Sequence, residues 1–331
     1  MRTFVYIFLI ISLLLASTLL LCGCSFDGET EMIKHTYSIS EDITNVDVLV
    51  KKADFSVSIT TDDIETAKLD LIYSKKAISD YSVSDGTLSV TAKRNFPWNI
   101  FNNEEGKIIL TLPKKDYESI SINSSSGDIK LSGFDLAGEL KLDTASGDIN
   151  LANVNAASLS VSVSSGDVEI NRLMTTGDVS LHAASGDFSL DGIGAKALTI
   201  SGTSSKIEVN KATLESVDID TTSGDIELNE TYTTDTVKID TTSGAVDIER
   251  SNFAGKLTVE TGSGDVHVTS SDAAELDLDT TSGDVTLTLL TPKNFVVETT
   301  SGKQDVIGTV YTQPLCKINT TSGDVTVRIA E

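Results

Sequence analysis

Thr221 to Glu249 reads TTSGDIELNETYTTDTVKIDTTSGAVDIE, and within it the motif TTSG returns after twenty residues. Aligned on the glycine of that motif (Gly224 and Gly244), the flanking residues match as well. Apolar residues stand seven and five positions before it (Val217/Ile219, Val237/Ile239) and two and four after it (Ile226/Leu228, Val246/Ile248). The residues between are polar, as at Lys238 and Glu227. Alternation over five or six residues describes a strand with one buried face, so each period predicts two short strands joined at a corner.

The same unit extends over the chain with glycines at Gly127, Gly147, Gly166, Gly186, Gly224, Gly244, Gly264, Gly283, Gly302 and Gly323, and Ser205 filling the one gap. That makes eleven units spaced 19 to 21 residues apart. The leading apolar pair is present in all eleven, from Ile120/Ile122 to Cys316/Ile318; the trailing pair fails only at Gln304. Gly177, in TTGDV, copies the motif between units and is set aside. One unit cannot bury its apolar face, whereas stacked units can. The expected fold is all-β: a parallel β-solenoid of about eleven regular coils of about 20 residues, flattened between two facing sheets. At about 4.8 Å per coil the repeats span about 48 Å. Each strand is expected to pair with its counterpart in the next coil.

The corner has its own chemistry. The residue before the glycine is serine in all eleven units, and a small residue, usually threonine, stands two positions earlier. Parity predicts that both point inward, where their hydroxyls satisfy backbone groups. The apolar set changes parity across the glycine, which predicts a backbone with positive φ. Asp128, Asp148, Asp167, Asp187, Asp225, Asp265, Asp284 and Asp324 follow the glycine. Stacked carboxylates about 5 Å apart repel by about 1 kcal/mol per pair in water. Two arrangements offset this: hydrogen bonds to corner N–H groups, or a calcium ladder along Asp128, Asp148, Asp167 and Asp187. The motif supplies few oxygens per turn for calcium, so the first is expected, with no cofactor.

The chain opens with Arg2 and an apolar run from Phe4 to Leu21, ending in Leu21-Cys22-Gly23-Cys24. Eighteen residues could span a bilayer. The ending resembles a bacterial lipobox, which implies a signal over residues 1–23, lipidation of Cys24 and a linker over 24–31. An uncleaved anchor is the alternative, and a buried helix the third reading. Either of the first two puts the remainder outside the cytoplasmic membrane. Only Cys316 is then left as a free thiol, which excludes an intrachain disulfide and a cysteine metal site. The formal net charge is −24, which argues against nucleic acid as a partner and leaves the lipid as the membrane contact.

Residues 32–119 alternate without a clean period, as in Val46–Val50, Phe55–Ile59 and Ile108–Leu112. They are expected to form irregular β coils or a cap on the repeat solenoid of 120–331, with a separate small β domain as the alternative. The loop RNFPWNIFNNEEG interrupts them, placing Phe96, Trp98 and Phe101 together. These aromatics either cap the open end of the solenoid or form an exposed anchor for a partner or membrane interface.

The lipoprotein-type leader, the prelude ending in ILTLPKKDYESISI and the many S-G-D-[IV]-x-[LIV] units together resemble the bacterial "putative adhesin" β-strand-repeat family, LiaG-like envelope proteins among them. The resemblance covers nearly the whole mature chain and implies no catalytic residues. Some members are associated with envelope-stress operons.

A β-helix enzyme acting on polysaccharides would need a local cluster of unlike residues that breaks the repeat. His35, His182 and His267 are far apart in sequence, and Arg172, Arg250 and Arg328 fall in separate coils. The expectation is a non-catalytic, surface-exposed lipoprotein that binds an envelope protein or glycan. The alternative is an envelope-stress accessory bound to a membrane regulator.

Overall fold

The computed structural model describes residues 32–75, 77–94, 105–310 and 314–330. Cys24 and the loop residues Phe96, Trp98 and Phe101 lie outside the described residues. From Met32 onward the chain forms one compact unit whose regular elements are all strands.

Each repeat follows its apolar alternation. In the Gly147 coil, Leu140, Leu142 and Thr144 are buried before the corner and Ile149 and Leu151 after it. Leading strands stack in parallel and in register: Leu140 pairs with Ile120 on one side and Leu159 on the other. Trailing strands do likewise, Ile149 lying between Ile129 and Val168. The stack buries one continuous column of Ile, Leu and Val along the axis.

The eight coils from Gly127 to Gly264 each have three strands rather than the two expected. After Leu151 the chain bends at Asn153 and resumes with Val154 and Ala156 buried. This short run pairs with 134–135 below and 173–175 above, and the third ladder continues to Asn252 and Phe253 against Asp272 and Ala273. The bend is a left-handed residue six positions after the corner: Gly133, Asn153, Arg172, Gly192, Lys211, Glu230, Arg250 and Ser270. Six of these eight are not glycine, each held at a cost of about 1 kcal/mol or more. That cost is tolerated because the bend starts a new hydrogen-bonded ladder in each of these eight coils. Gly177 lies at the end of the third side, where its N–H bonds the Ala157 carbonyl at 2.8 Å, and so stands outside the Ser-Gly-Asp corner.

Coil order in space departs from order in sequence at both ends. At the C-terminus, Leu315–Thr320 lies between 277–280 and Asn294–Thr299, and Val325–Ile329 lies between Val285–Leu289 and Gln304–Val306. The last coil in sequence is therefore intercalated, and the Gly302 coil is outermost. This explains Gln304: the one polar residue in the trailing core column sits on the end rung, where it is exposed. At the N-terminus, Asn45–Lys51 and Asp54–Asp62 form a coil sandwiched between 87–113 and the first repeat. Each strand thus pairs with its counterpart in the next coil only between these ends.

The N-terminal end continues into antiparallel strands. Ala77–Ser84 pairs with Thr87–Arg94 on one side. Ala67–Ser74 joins Glu105–Pro113 to Met32–Ile39 on the other. Tyr37 and Tyr81, from the two sides, meet with ring centroids 4.7 Å apart and planes tilted by 56°. Tyr73 and His35 extend the cluster. These rings lie across the N-terminal end of the core. Asp70, buried on this cap, accepts a 2.6 Å hydrogen bond from Thr36 and ion-pairs with Lys34 and Lys68.

Candidate functional site

The aspartates behind the corner come together in a ladder whose rungs are main-chain hydrogen bonds. Asp148 N–H donates to Asp128 Oδ1 at 3.1 Å, Asp167 N–H to Asp148 at 3.0 Å, and Asp187 N–H to Asp167 at 2.8 Å. Lys206 N–H closes the run on Asp187 at 2.8 Å. The same bond recurs from Ala245 to Asp225, from Asp284 to Asp265, from Asp324 to Asp284 and from Lys303 to Asp324. Each carboxylate thus caps the next coil in space, and the Lys303 rung follows the intercalated order. A charge-assisted hydrogen bond contributes about 1.5–3 kcal/mol at best, enough to offset the repulsion along an exposed column.

The corner glycines are required by close approach more than by φ. A Cβ on Gly166 would fall 2.2 Å from the Gly147 carbonyl oxygen, and one on Gly323 would fall 1.9 Å from that of Gly283. Six of them, from Gly127 (φ 102°) to Gly244 (φ 159°), have positive φ, whereas Gly264, Gly283, Gly302 and Gly323 are not in that region. The expectation of positive φ therefore holds for part of the column only. The expected inward serine is also corrected. Ser146, Ser165, Ser185 and Ser243 are exposed, while the residue two positions earlier is buried. The ladder continues to the serine, Ser146 lying opposite Ser165, but the side-chain alternation breaks after the inward residue, so both following side chains point out. Thr144 Oγ1 donates to the Ser146 carbonyl at 3.1 Å and Ser124 Oγ to that of Ser126 at 2.9 Å.

Outward side chains make the accessible surface. On the leading face, the position four before the glycine runs Asn123, Asp143, Ser162, His182, Ser201 and then Asp220, Asp240, Glu260, Asp279. The column changes along its length from a mixture of amide, carboxylate, hydroxyl and imidazole to carboxylates alone. The four acids line a shallow groove of about 540 Å³ with Thr221, Thr241 and Thr261. On the trailing face a groove of about 470 Å³ places Asp247 beside His267 of the next coil. Burial foremost pushes the Asp247 carboxyl above its ordinary value, against the opposing pull of His267.

His182 and His267 lie on different faces. His182 Nδ1 lies 2.9 Å from Ser201 Oγ of the next coil, a contact that repeat alignment could have flagged because both residues occupy the same column. Arg250 serves Glu230 and Asn229, and Arg328 serves Asp305. Among the described residues, no three His, Cys, Asp or Glu side chains form a group that could hold a metal ion. Cys316 is fully buried between Leu276 and Phe295 of the adjacent rungs, and burial pushes its thiol up.

A family profile described as Toastrack DUF4097 matches residues 43–260 and 253–331. The chain is a Toastrack DUF4097 protein. Its three-ladder coils and Ser-Gly-Asp corners are therefore the Toastrack fold as this sequence builds it. Similar solved structures include a "putative adhesin" from Parabacteroides distasonis, at 11% identity and TM-score 0.42, matched over 90% of this chain and 98% of that one. A "putative lipid binding protein" from the same species gives 13% identity and TM-score 0.37 over 92% and 98%. A "putative cell adhesion protein" from Clostridium sporogenes gives 11% and 0.21 over 91% and 100%. Among curated proteins, none matches this Toastrack chain.

Proposed function

We propose that this protein is a lipid-anchored interaction scaffold of the bacterial envelope, non-catalytic and exposed outside the cytoplasmic membrane. The observation that carries the reading is how its polar residues are used. The corner aspartates are committed to main-chain rungs and inward hydroxyls such as those of Thr144 and Thr221 to corners, so the outward columns are left as the working surface. Those columns repeat at the strand spacing of about 4.8 Å. They offer a long, rigid, flat face that shifts from mixed polar groups to carboxylate, suited to an extended protein or glycan more than to a small substrate. The lipid anchor rests on Leu21-Cys22-Gly23-Cys24.

Crosslinking in intact cells followed by pull-down of the full chain tests the reading. Recovery of an envelope protein or glycan, lost when Asp220, Asp240, Glu260 and Asp279 are changed to serine, is the expected result. Recovery of a membrane sensor kinase instead would favour the envelope-stress role. Turnover of a polysaccharide by the purified full chain, abolished by His182→Ala, would overturn the non-catalytic reading.

A further inference from the structure

We infer that the C-terminal end of the solenoid is a self-association surface on which a second copy of this chain docks end-on. The two ends differ in how they finish the core. On the outermost N-terminal rung, Leu88, Val90 and Ala92 are completely buried, closed over by the strands that carry Tyr37 and Tyr81. On the outermost C-terminal rung the equivalent Phe295 and Val297 are only half-buried, as is Val306 beyond the corner. Among the described residues, Asn294–Thr299 pairs only with Leu315–Thr320, and Gln304–Val306 only with Val325–Ile329. Among the described residues, no strand pairs with their outer edges. Val296 (41% exposed) lies on the first of these strands and Ile307 (56%) directly follows the second. An uncovered, apolar strand edge is a template for another strand, which is why repeat arrays finish in polar caps.

Charge selects the occupant. The whole chain carries −24, so two copies repel along their sides. From 290 to 330, Lys293, Lys303, Lys317 and Arg328 face Glu298, Asp305 and Asp324, four cations against three carboxylates. Lys293 is itself paired with Asp272 at 2.6 Å and Arg328 with Asp305. A basic partner would favour the acidic sides, whereas a second copy meets no net repulsion at this end, and at the N-terminal end, where charge would also admit it, the core is closed over. A two-fold contact requires a patch complementary to itself. Antiparallel pairing of 294–299 about Val296 sets Asn294 opposite Glu298 and Phe295 opposite Val297, with no like charges opposed.

Sedimentation of the full chain in mild detergent should show a concentration-dependent dimer. Val296→Lys with Ile307→Lys should weaken it at least tenfold. In intact cells, oxidation of Val296→Cys should give a species of twice the monomer mass on a non-reducing gel, while wild type and Ser180→Cys, on the acidic protein's flank, should not. This second measurement decides the matter should the lysine variants lose their β signal by circular dichroism. A wild type that stays monomeric, a dimer untouched by folded lysine variants, or Val296→Cys crosslinking no more than Ser180→Cys would each overturn the inference.

Discussion

Gly202 and Ser205 have exchanged roles. Every other repeat carries a side chain at the inward position three before the corner and glycine at the corner; this coil has glycine first and serine second. A Cβ on Gly202 would fall 2.8 Å from Ser205 Oγ, so the serine occupies the space that the inward residue leaves. Ser205 is 2% exposed and its hydroxyl finds no partner. Gly202→Thr alone should cost about 1–3 kcal/mol through overpacking. The double change Gly202→Thr, Ser205→Gly should recover that loss and exceed wild type by about 1 kcal/mol, since a buried unpaired hydroxyl is removed. Chemical denaturation of the four proteins measures the coupling.

The aspartate rungs give a second expectation. Asp148→Ala removes the acceptor for Asp167 N–H and should lower stability by about 1 kcal/mol, whereas Asp148→Asn keeps an oxygen there and should stay within about 0.5 kcal/mol. Ala245→Asp would supply the missing acceptor for Asp265 N–H and should raise the melting temperature. Chelator should shift melting no more than ordinary salt does. A sharp stoichiometric calcium isotherm would assign the column to metal instead.

Acid stability should depend on Asp70. Its hydrogen bond from Thr36, with Lys34 and Lys68 adding to it, outweighs burial and holds the carboxyl below 3.8. A depressed carboxylate stabilises fully above its unfolded value and loses that contribution as pH falls through its folded value. Thr36→Val should therefore move acid unfolding to higher pH, as followed by the near-ultraviolet signal of the neighbouring tyrosines. An unchanged midpoint would remove Asp70 from the account.

Cys316 should resist a bulky maleimide in the native protein, because the thiol is both buried between two rungs and shifted up. Its labelling rate then reports how often the C-terminal end opens. Fast labelling would contradict the intercalated position.

Lipid anchoring is tested separately. Globomycin should leave an unprocessed precursor, and Cys24→Ala should release the protein. A mutant that stays in the membrane with its leader intact would favour the uncleaved anchor.

Periodicity made the strands, their buried faces and the corner legible, because alternation and glycine leave marks at fixed offsets. The third ladder left a weaker mark. Its bend falls on Arg172, Lys211, Glu230 and Arg250, residues that do not advertise positive φ, and several of its runs are only two residues long. The outward serines depart from parity because the side-chain alternation breaks within the last two residues of the strand. Spacing also conceals spatial order: the 19 residues from Gly283 to Gly302 and the 21 from Gly302 to Gly323 both resemble ordinary coils. Gln304 in a core column was the visible sign that its coil lies at an end.

That order makes the earlier of the two segments depend on the later. A ribosome delivers residues 294–306 before 315–329, yet the earlier segment has no rung to lie on until the later one is in place. Winding can follow synthesis as far as the Gly283 coil and must then wait. The final strands lay the template, and the preceding segment settles on top of them. A chain cut short before Leu315 loses two coils rather than one, leaving an apolar segment undocked and marked for proteolysis. Residues 315–329 thus carry residues 294–306, and the outer rung is acquired only once both are in place.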